Sequence, residues 1–261
     1  MTSRFENRTV MITGGGGGIG SELTLRFAAE GARVLCLDVD RERAERACEQ
    51  AGGQALAVVC DVTDGAQLDR VLAEHGAVDV LVNNSLCVTG DNLVETSDES
   101  LRADIEGTLT TAFLCTKRVL PGMIERRRGA IVNLASVNAL GYFGNEAYSA
   151  SKAGLINLTR SVAVRYGRYG VRANAVAPGT IATPVWNARL AIEPDLLDRL
   201  ARWYPLRRVG TPQDVANAVL FLASDEAAFT SGACLTVDGG LTAGQGLFAE
   251  ELLVESRTAE L

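Results

Sequence analysis

Residues Thr13–Gly20 read TGGGGGIG: five glycines in a row, then Ile19 and Gly20. A glycine inside a helix costs up to ~1 kcal/mol against alanine, so the run implies a use for bare backbone. Backbone N–H groups at the start of a helix attract phosphate, and the lack of a Cβ lets it come close. Gly15, Gly17 and Gly20 satisfy a G-x-G-x-x-G string, which alone is a weak signal. The confirming feature is Asp38, 20 residues after Gly18 at the end of the next apolar run. A carboxylate at that distance meets the ribose hydroxyls of NAD and repels the 2′-phosphate of NADP. Arg41 and Arg43 stand close by in the chain. A second reading of Asp38, as the cap of the following helix, stays open, although Asp40 fits that role better.

Such a site needs a strand before the glycines and a helix after them. RTVMITG reads as a short buried strand. SELTLRFAAEGA reads as a helix, with Leu23, Leu25, Phe27 and Ala28 on its apolar side and Gly31 as its stop. The alternation continues. RVLCLD, ALAVVCD, VDVLVNN, GAIVNLAS, VRANAVAPG and GACLTVDGG read as strands, separated by helical stretches. The longest of these is DESLRADIEGTLTTAFLCTKRVLPGMIERR, and the last is TPQDVANAVLFLASD, with Thr211 as cap and Pro212 in its first turn. The strands are continuous apolar runs, the mark of a parallel sheet buried on both faces. The pattern predicts a single-domain α/β fold: a doubly wound, Rossmann-type parallel sheet of about seven strands with helices on both faces. Residues 1–240 are read as that domain, with 179–211 as a variable lid holding one helix, and 241–261 as a tail.

Composition narrows the partners. The 261 residues carry 25 Lys and Arg against 32 Asp and Glu, a formal charge of −7, which argues against nucleic acid. Arg126, Arg127 and Arg128 read as a solvated helix end. The six cysteines form no C-x-x-C pair and read as reduced thiols. With His75 as the only histidine, no metal site is expected. No secretory signal or membrane-length apolar run is visible, so a cytoplasmic protein without membrane contact is expected.

The ordered motifs resemble those of the short-chain dehydrogenase/reductase family, in its single-domain form, over essentially the whole chain. T-G-x-x-x-G-I-G is met by Thr13, Gly14, Gly18, Ile19 and Gly20; Y-x-x-x-K by Tyr148 and Lys152; P-G-x-x-x-T by Pro178, Gly179 and Thr183, with Ile181 between. Ser136 in NLASVNA matches the upstream serine, and Asp61, followed by Val62, matches the adenine-contacting Asp. N-N-A-G is met only in part, by Asn83 and Asn84, with Ser85 and Leu86 in the remaining places. The resemblance implies that Gly14, Gly16, Gly17, Gly18, Ile19, Asp38, Asp61, Val62, Asn84, Tyr148, Lys152, Pro178, Gly179, Ile181 and Thr183 hold the cofactor, expected to be NAD. It fixes the glycine register at Gly14, Gly18 and Gly20, and Gly16→Ala and Gly17→Ser are then expected to keep NAD binding while Gly18→Val loses it.

The residues support that chemistry. Tyr148 and Lys152 lie four apart on a helix and share a face. A free phenol titrates near ~10. A neighbouring ammonium lowers that value, so that Tyr148 can exchange a proton with a substrate hydroxyl or carbonyl. Ser136 can hold the same oxygen. The resemblance adds ribose binding by Lys152 and a water-holding Asn on an earlier helix. Thr108 stands in that Asn's place, and a relay role and back-bonding within its own helix remain equally open. Leu86, where relatives have Gly, predicts a different turn or a narrower site. The expected reaction is hydride transfer between a nicotinamide cofactor and a secondary alcohol or ketone, leaning to oxidation. The alternatives are an NADPH-dependent ketoreductase and a non-catalytic dinucleotide-binding protein. Tyr142, Phe143, Trp186, Trp203 and Tyr204 are candidates for an apolar substrate wall, and Asn138, Asn187 and Arg189 for polar anchors. A homotetramer or dimer joined through helices at 99–122 and 147–166 is implied by the resemblance.

Overall fold

The apolar runs pair into one sheet in a computed structural model that describes residues 3–90 and 92–252. Its strands are β1 (Thr9–Thr13), β2 (Arg33–Asp38), β3 (Ala55–Val59), β4 (Val80–Asn83), β5 (Gly129–Leu134), β6 (Val171–Pro178) and β7 (Cys234–Val237). Their order is β3-β2-β1-β4-β5-β6-β7, and every pairing is parallel. The order reverses between β1 and β4, and the crevice beyond the carboxyl ends of those strands is where such sheets bind ligands.

Helices α1 (Gly18–Ala29), α2 (Arg41–Ala51), α3 (Gly65–His75), α4 (Asp98–Ile105), α5 (Thr111–Glu125) and α6 (Glu146–Tyr166) follow in turn. The lid helices α7 (Asn187–Leu190) and α8 (Leu196–Ala201) come next, then α9 (Pro212–Ala223) and α10 (Gly246–Leu252). Side chains alternate along a strand, so β1 feeds two cores. Val10 and Ile12 pack with Leu23 and Phe27 of α1 and Val215 and Val219 of α9. Met11 packs with Leu68 of α3, Val119 and Met123 of α5 and Val162 of α6. The edge strands depart from the expected two-sided burial. Leu56 and Val59 on β3 and Leu235 on β7 are exposed, because a rim strand has one neighbour and the helix layers centre on the middle strands.

The long helical stretch is interrupted. A π-helical turn, Glu106–Thr110, separates α4 from α5, and such turns insert one residue into the helical ladder. The arginine run is not simply solvated. The Arg126 guanidinium donates to the Val78 carbonyl at 2.7 Å, and that of Arg127 to the Arg168 carbonyl at 3.0 Å. The lid holds three short pieces instead of one helix: a 3-10 turn, Pro184–Trp186, then α7 and α8. Of the 241–261 segment, α10 is described and residues 253–261 lie outside the described residues. Among the described residues no helix is long and apolar enough to cross a membrane.

Candidate active site

The glycine loop leaves β1 and opens α1. Gly17 precedes the helix without a side-chain cap, and the first turn holds no acidic residue. The first N–H groups of α1 are therefore presented without a competing carboxylate, which fits a pyrophosphate. Gly14 has φ +61°, and a Cβ on Gly20 would lie 2.0 Å from the Gly14 carbonyl oxygen. Gly16 corrects the expectation that it tolerates a side chain. A Cβ there would lie 2.6 Å from the Arg43 carbonyl carbon, at the start of α2, whereas one on Gly17 meets nothing nearer than 3.4 Å. Gly17→Ser is thus expected to leave NAD binding unchanged. Gly16→Ala is expected to weaken it and to lower Tm, since overpacking of this kind costs roughly 1–3 kcal/mol; a fluorescence titration and a thermal melt check both.

Asn84 and Thr13 lock this loop to the end of β4. Asn84 Nδ2 donates to the Thr13 carbonyl at 3.0 Å and the Gly14 carbonyl at 2.9 Å. Thr13 Oγ1 accepts from the backbone N–H groups of Asn84 and Ser85, both at 3.0 Å. Asn84 therefore shapes the cradle. Leu86 keeps an ordinary φ and a half-exposed side chain, so Leu is accommodated at the surface. Ile19 packs on the α1–α9 core.

Asp38 faces the loop. Its carboxylate accepts from the Gly16 N–H at 3.1 Å, the Asp40 N–H at 3.0 Å and the Arg43 guanidinium at 3.1 Å. Asp40 caps α2, accepting from the Arg43 N–H. Asp61 ends its strand run and accepts from the N–H and hydroxyl of Thr63 at 2.9 and 2.7 Å. The Val62 side chain is buried in the core.

Ser136 follows β5, and Tyr148 and Lys152 occupy the first turns of α6. Asn145 caps α6 by accepting from the Tyr148 N–H at 3.0 Å. It went unnoticed in the sequence, although an Asn directly before Glu146 is a helix-start signal. Lys152 is fully buried; its Nζ donates to the Leu134 carbonyl and lies 5.5 Å from the Tyr148 ring centre. Burial takes its amine down to about 7. Burial also pushes the Tyr148 phenol up, and a hydrogen bond from Ser136 would act the other way. This corrects the expected lowering of Tyr148 by Lys152. Lys152 is out of water, and an amine titrating near 7 carries only part of a charge at neutral pH. Thr108 is buried in the π turn, where its Oγ1 lies 3.4 Å from both the N and the O of Cys87. Thr111 makes the back-bond within the helix, to Gly107 at 3.1 Å. Among the described residues no bond joins Thr108 to Lys152.

Pro178 ends β6, and the Gly179 N–H donates to the Val237 carbonyl at 3.1 Å. Ile181 is buried and bridges Gly210 at the base of the lid. Thr183 reaches the glycine loop: a Cβ on Gly18 would lie 2.7 Å from Thr183 Cβ. Tyr204 is not part of a substrate wall. It is buried, and its hydroxyl accepts from the Thr180 N–H at 2.7 Å, anchoring the lid. Trp186 donates to the Ile181 carbonyl at 2.9 Å. Tyr142, Phe143 and Trp203 are exposed. Arg189 pairs with Glu193 at 3.3 Å, Asn187 is exposed, and Asn138 is engaged internally.

Known proteins share this fold. The profile of the family described as Enoyl-(Acyl carrier protein) reductase matches residues 15–242. The chain is 40% identical to 2-(S)-hydroxypropyl-CoM dehydrogenase 3 of Xanthobacter autotrophicus, over 93% of this chain and 100% of that one. It is 41% identical to cis-4-hydroxycyclohexanecarboxylate dehydrogenase of Sinomonas cyclohexanicum, over 93% and 100%. The crystal structure of a short-chain dehydrogenase/reductase family oxidoreductase from Burkholderia thailandensis superposes with a TM-score of 0.90 at 50% identity, covering 94% of this chain and 96% of that one. The family profile runs from the glycine loop through β7, and the chain belongs to the short-chain dehydrogenase/reductase family, oxidoreductases that bind a nicotinamide cofactor.

Proposed function

We propose that the protein is an NAD-dependent dehydrogenase of a secondary alcohol. The observation that carries this reading is the convergence of Ser136, Tyr148 and Lys152 at the carboxyl end of β5, where Lys152 Nζ lies against the Tyr148 ring. Tyr148 takes the alcohol proton as general base, and Ser136 holds the same oxygen. Lys152 binds the nicotinamide ribose; once that contact favours its ammonium, the charge draws the Tyr148 phenol down toward ionisation. The glycine loop with Thr183 holds the pyrophosphate and Asp38 the adenine ribose. When bound, the nicotinamide ring supplies the hydride acceptor. The alcohol faces an apolar rim, for Leu86, Val88, Tyr142 and Phe143 are exposed on the loops after β4 and β5. The six free thiols accord with a reducing, cytoplasmic setting. Phe113 on α5 and Val164 on α6 are exposed apolar residues that suit a dimer or tetramer through these helices, which light scattering tests.

A panel of secondary alcohols with NAD, followed by NADH absorbance, tests the reading; its failure across the panel, with NAD bound, favours the binding-only alternative. One observation favours a second reading, the use of NADP. The half-exposed Arg43 guanidinium sits on Asp38, offsets its charge and can turn toward a 2′-phosphate. Wild type is expected to prefer NAD, and Arg43→Ala to widen that preference roughly tenfold, the worth of one charge-assisted hydrogen bond. Equal kcat/KM with both cofactors in wild type overturns the assignment of Asp38.

A further inference from the structure

The chain leaves β4 along a segment, 85–90, that is pinned at every second residue. The Ser85 N–H donates to Thr13 Oγ1 at 3.0 Å. The Cys87 N–H donates to Thr108 Oγ1 at 3.4 Å, and the Thr89 N–H to Asp104 Oδ1 at 2.7 Å. Three side chains, from β1, the π turn and α4, thus do for this segment what a neighbouring strand does in a sheet. The residues between the pinned ones, Leu86 and Val88, are half-exposed. Asn145 holds the far end. Its Nδ2 donates to the Gly90 carbonyl, and its Oδ1 accepts from the Tyr148 N–H at 3.0 Å. A carbonyl only accepts and an N–H only donates, so the orientation of the amide is fixed. Asn145 has φ +54°, directly after Gly144 at +92°, a conformation that Asn takes up more readily than most residues. Asp would cap α6 equally well. The carboxamide adds the donor that Gly90 uses.

We propose that Asn145 is a positioning residue that latches segment 85–90 to the start of α6, and so fixes where the apolar wall of Leu86 and Val88 stands relative to the Tyr148 hydroxyl. The proposal rests on the reading of Tyr148 as the acid–base group, and it names a determinant of which alcohols that group serves best. The holds at Thr13, Thr108 and Asp104 fix the segment against the sheet and the preceding helices. The hold at Asn145 refers it to the helix that carries the phenol. A wall already in place meets an apolar substituent without a cost of ordering. An alcohol whose substituent reaches Leu86 and Val88 gains from that, and one too small to reach them does not. In an apolar site a single methylene is worth roughly 10- to 200-fold in selectivity, so the latch has a readable effect.

The cap and the latch can be separated. Asn145→Asp keeps the acceptor for the Tyr148 N–H and loses the donor to Gly90. Asn145→Gly keeps the backbone conformation and loses both. In the NAD complex, amide hydrogen exchange of peptides covering 85–90 is expected to quicken roughly five- to tenfold in both variants, the worth of one hydrogen bond. kcat/KM is measured for two secondary alcohols of the panel that differ in the size of one apolar substituent. The preference for the larger is expected to fall by a similar factor in both variants. The loss is expected in the KM of the larger alcohol, with kcat kept within about twofold. Val88→Ala is expected to lower the same preference in wild type and to change it little in Asn145→Asp, because residues that act as a unit are not additive. Unchanged exchange in Asn145→Asp overturns the proposal and leaves Asn145 as a helix cap. So does a preference that holds or rises in Asn145→Asp, an equal loss of kcat on both alcohols, or additive effects of Val88→Ala and Asn145→Asp. Amide exchange needs no turnover. Failure of the acid–base reading, seen as turnover that survives Tyr148→Phe, is therefore registered separately.

Discussion

Tyr148→Phe is expected to lower kcat roughly a hundred- to ten-thousandfold, the span associated with a positioned acid–base group, while the Kd for NAD stays within about twofold. The phenol supplies one atom that the reaction needs and phenylalanine lacks, the oxygen that takes the alcohol proton. The ring itself is kept, and so is its packing against Lys152. The loop proposed to carry the dinucleotide is held by Asn84 and Thr13, at the ends of β4 and β1. Binding and turnover therefore separate in this variant. Measuring NAD affinity by fluorescence and turnover by NADH absorbance gives both numbers from one preparation. Retained turnover would remove Tyr148 from the reaction.

Lys152→Met is expected to abolish turnover and to raise the stability of the cofactor-free protein. Burial holds the amine at about 7 against an ordinary value of 10.5. Between those two values the unfolded chain keeps a proton that the folded chain has released. Stability contributed by the neutral amine is therefore fully present above 10.5 and lost as pH falls toward 7. The difference amounts to roughly 3–5 kcal/mol, less about 1 kcal/mol for the Leu134 carbonyl that loses its donor in the variant. At pH 7 the methionine variant is expected to resist denaturant more than wild type, and the gap to close as pH rises toward 10. Denaturant titrations of both proteins at several pH values test this. A gap of constant size would mean that Lys152 titrates normally in the fold. Saturating NAD is expected to narrow the gap at pH 7, since the ribose gives the ammonium a partner.

Local pattern was enough wherever one residue type has one use. The apolar runs became strands, and Asp38 reached the glycine loop because the strand that ends in it is β1's neighbour. Pattern failed where a distant element decides. Nothing near Gly16 in the chain announces that the first turn of α2 lies against it. Trp203 and Tyr204 are adjacent aromatics, yet one is exposed and the other is buried as a lid anchor. A helical run also does not disclose a π turn: the residues Glu106–Thr110 have no composition that marks it, and the extra residue turns Thr108 toward Cys87. The charge of Lys152 was misjudged for a related reason, since burial belongs to the whole fold and its motif encodes only spacing.

The base of the lid has a consequence for how this scaffold can change. Ile181 and Gly210 form a bridge, the Ala182 N–H donates to the Gly210 carbonyl, and the Gly210 N–H donates to the Thr180 carbonyl, both at 2.9 Å. The excursion from 182 to 209 thus leaves and rejoins the domain at one point, like the handle of a cup. Its length is only weakly coupled to folding, because doubling such a loop costs about 0.6 kcal/mol in closure entropy. Segments of other lengths and compositions can be grafted there, provided that Thr183 and a counterpart of Tyr204 are retained. The proposed substrate range can then drift or be redesigned by exchanging one cassette, with Ser136 after β5 and Tyr148 and Lys152 on α6 left untouched.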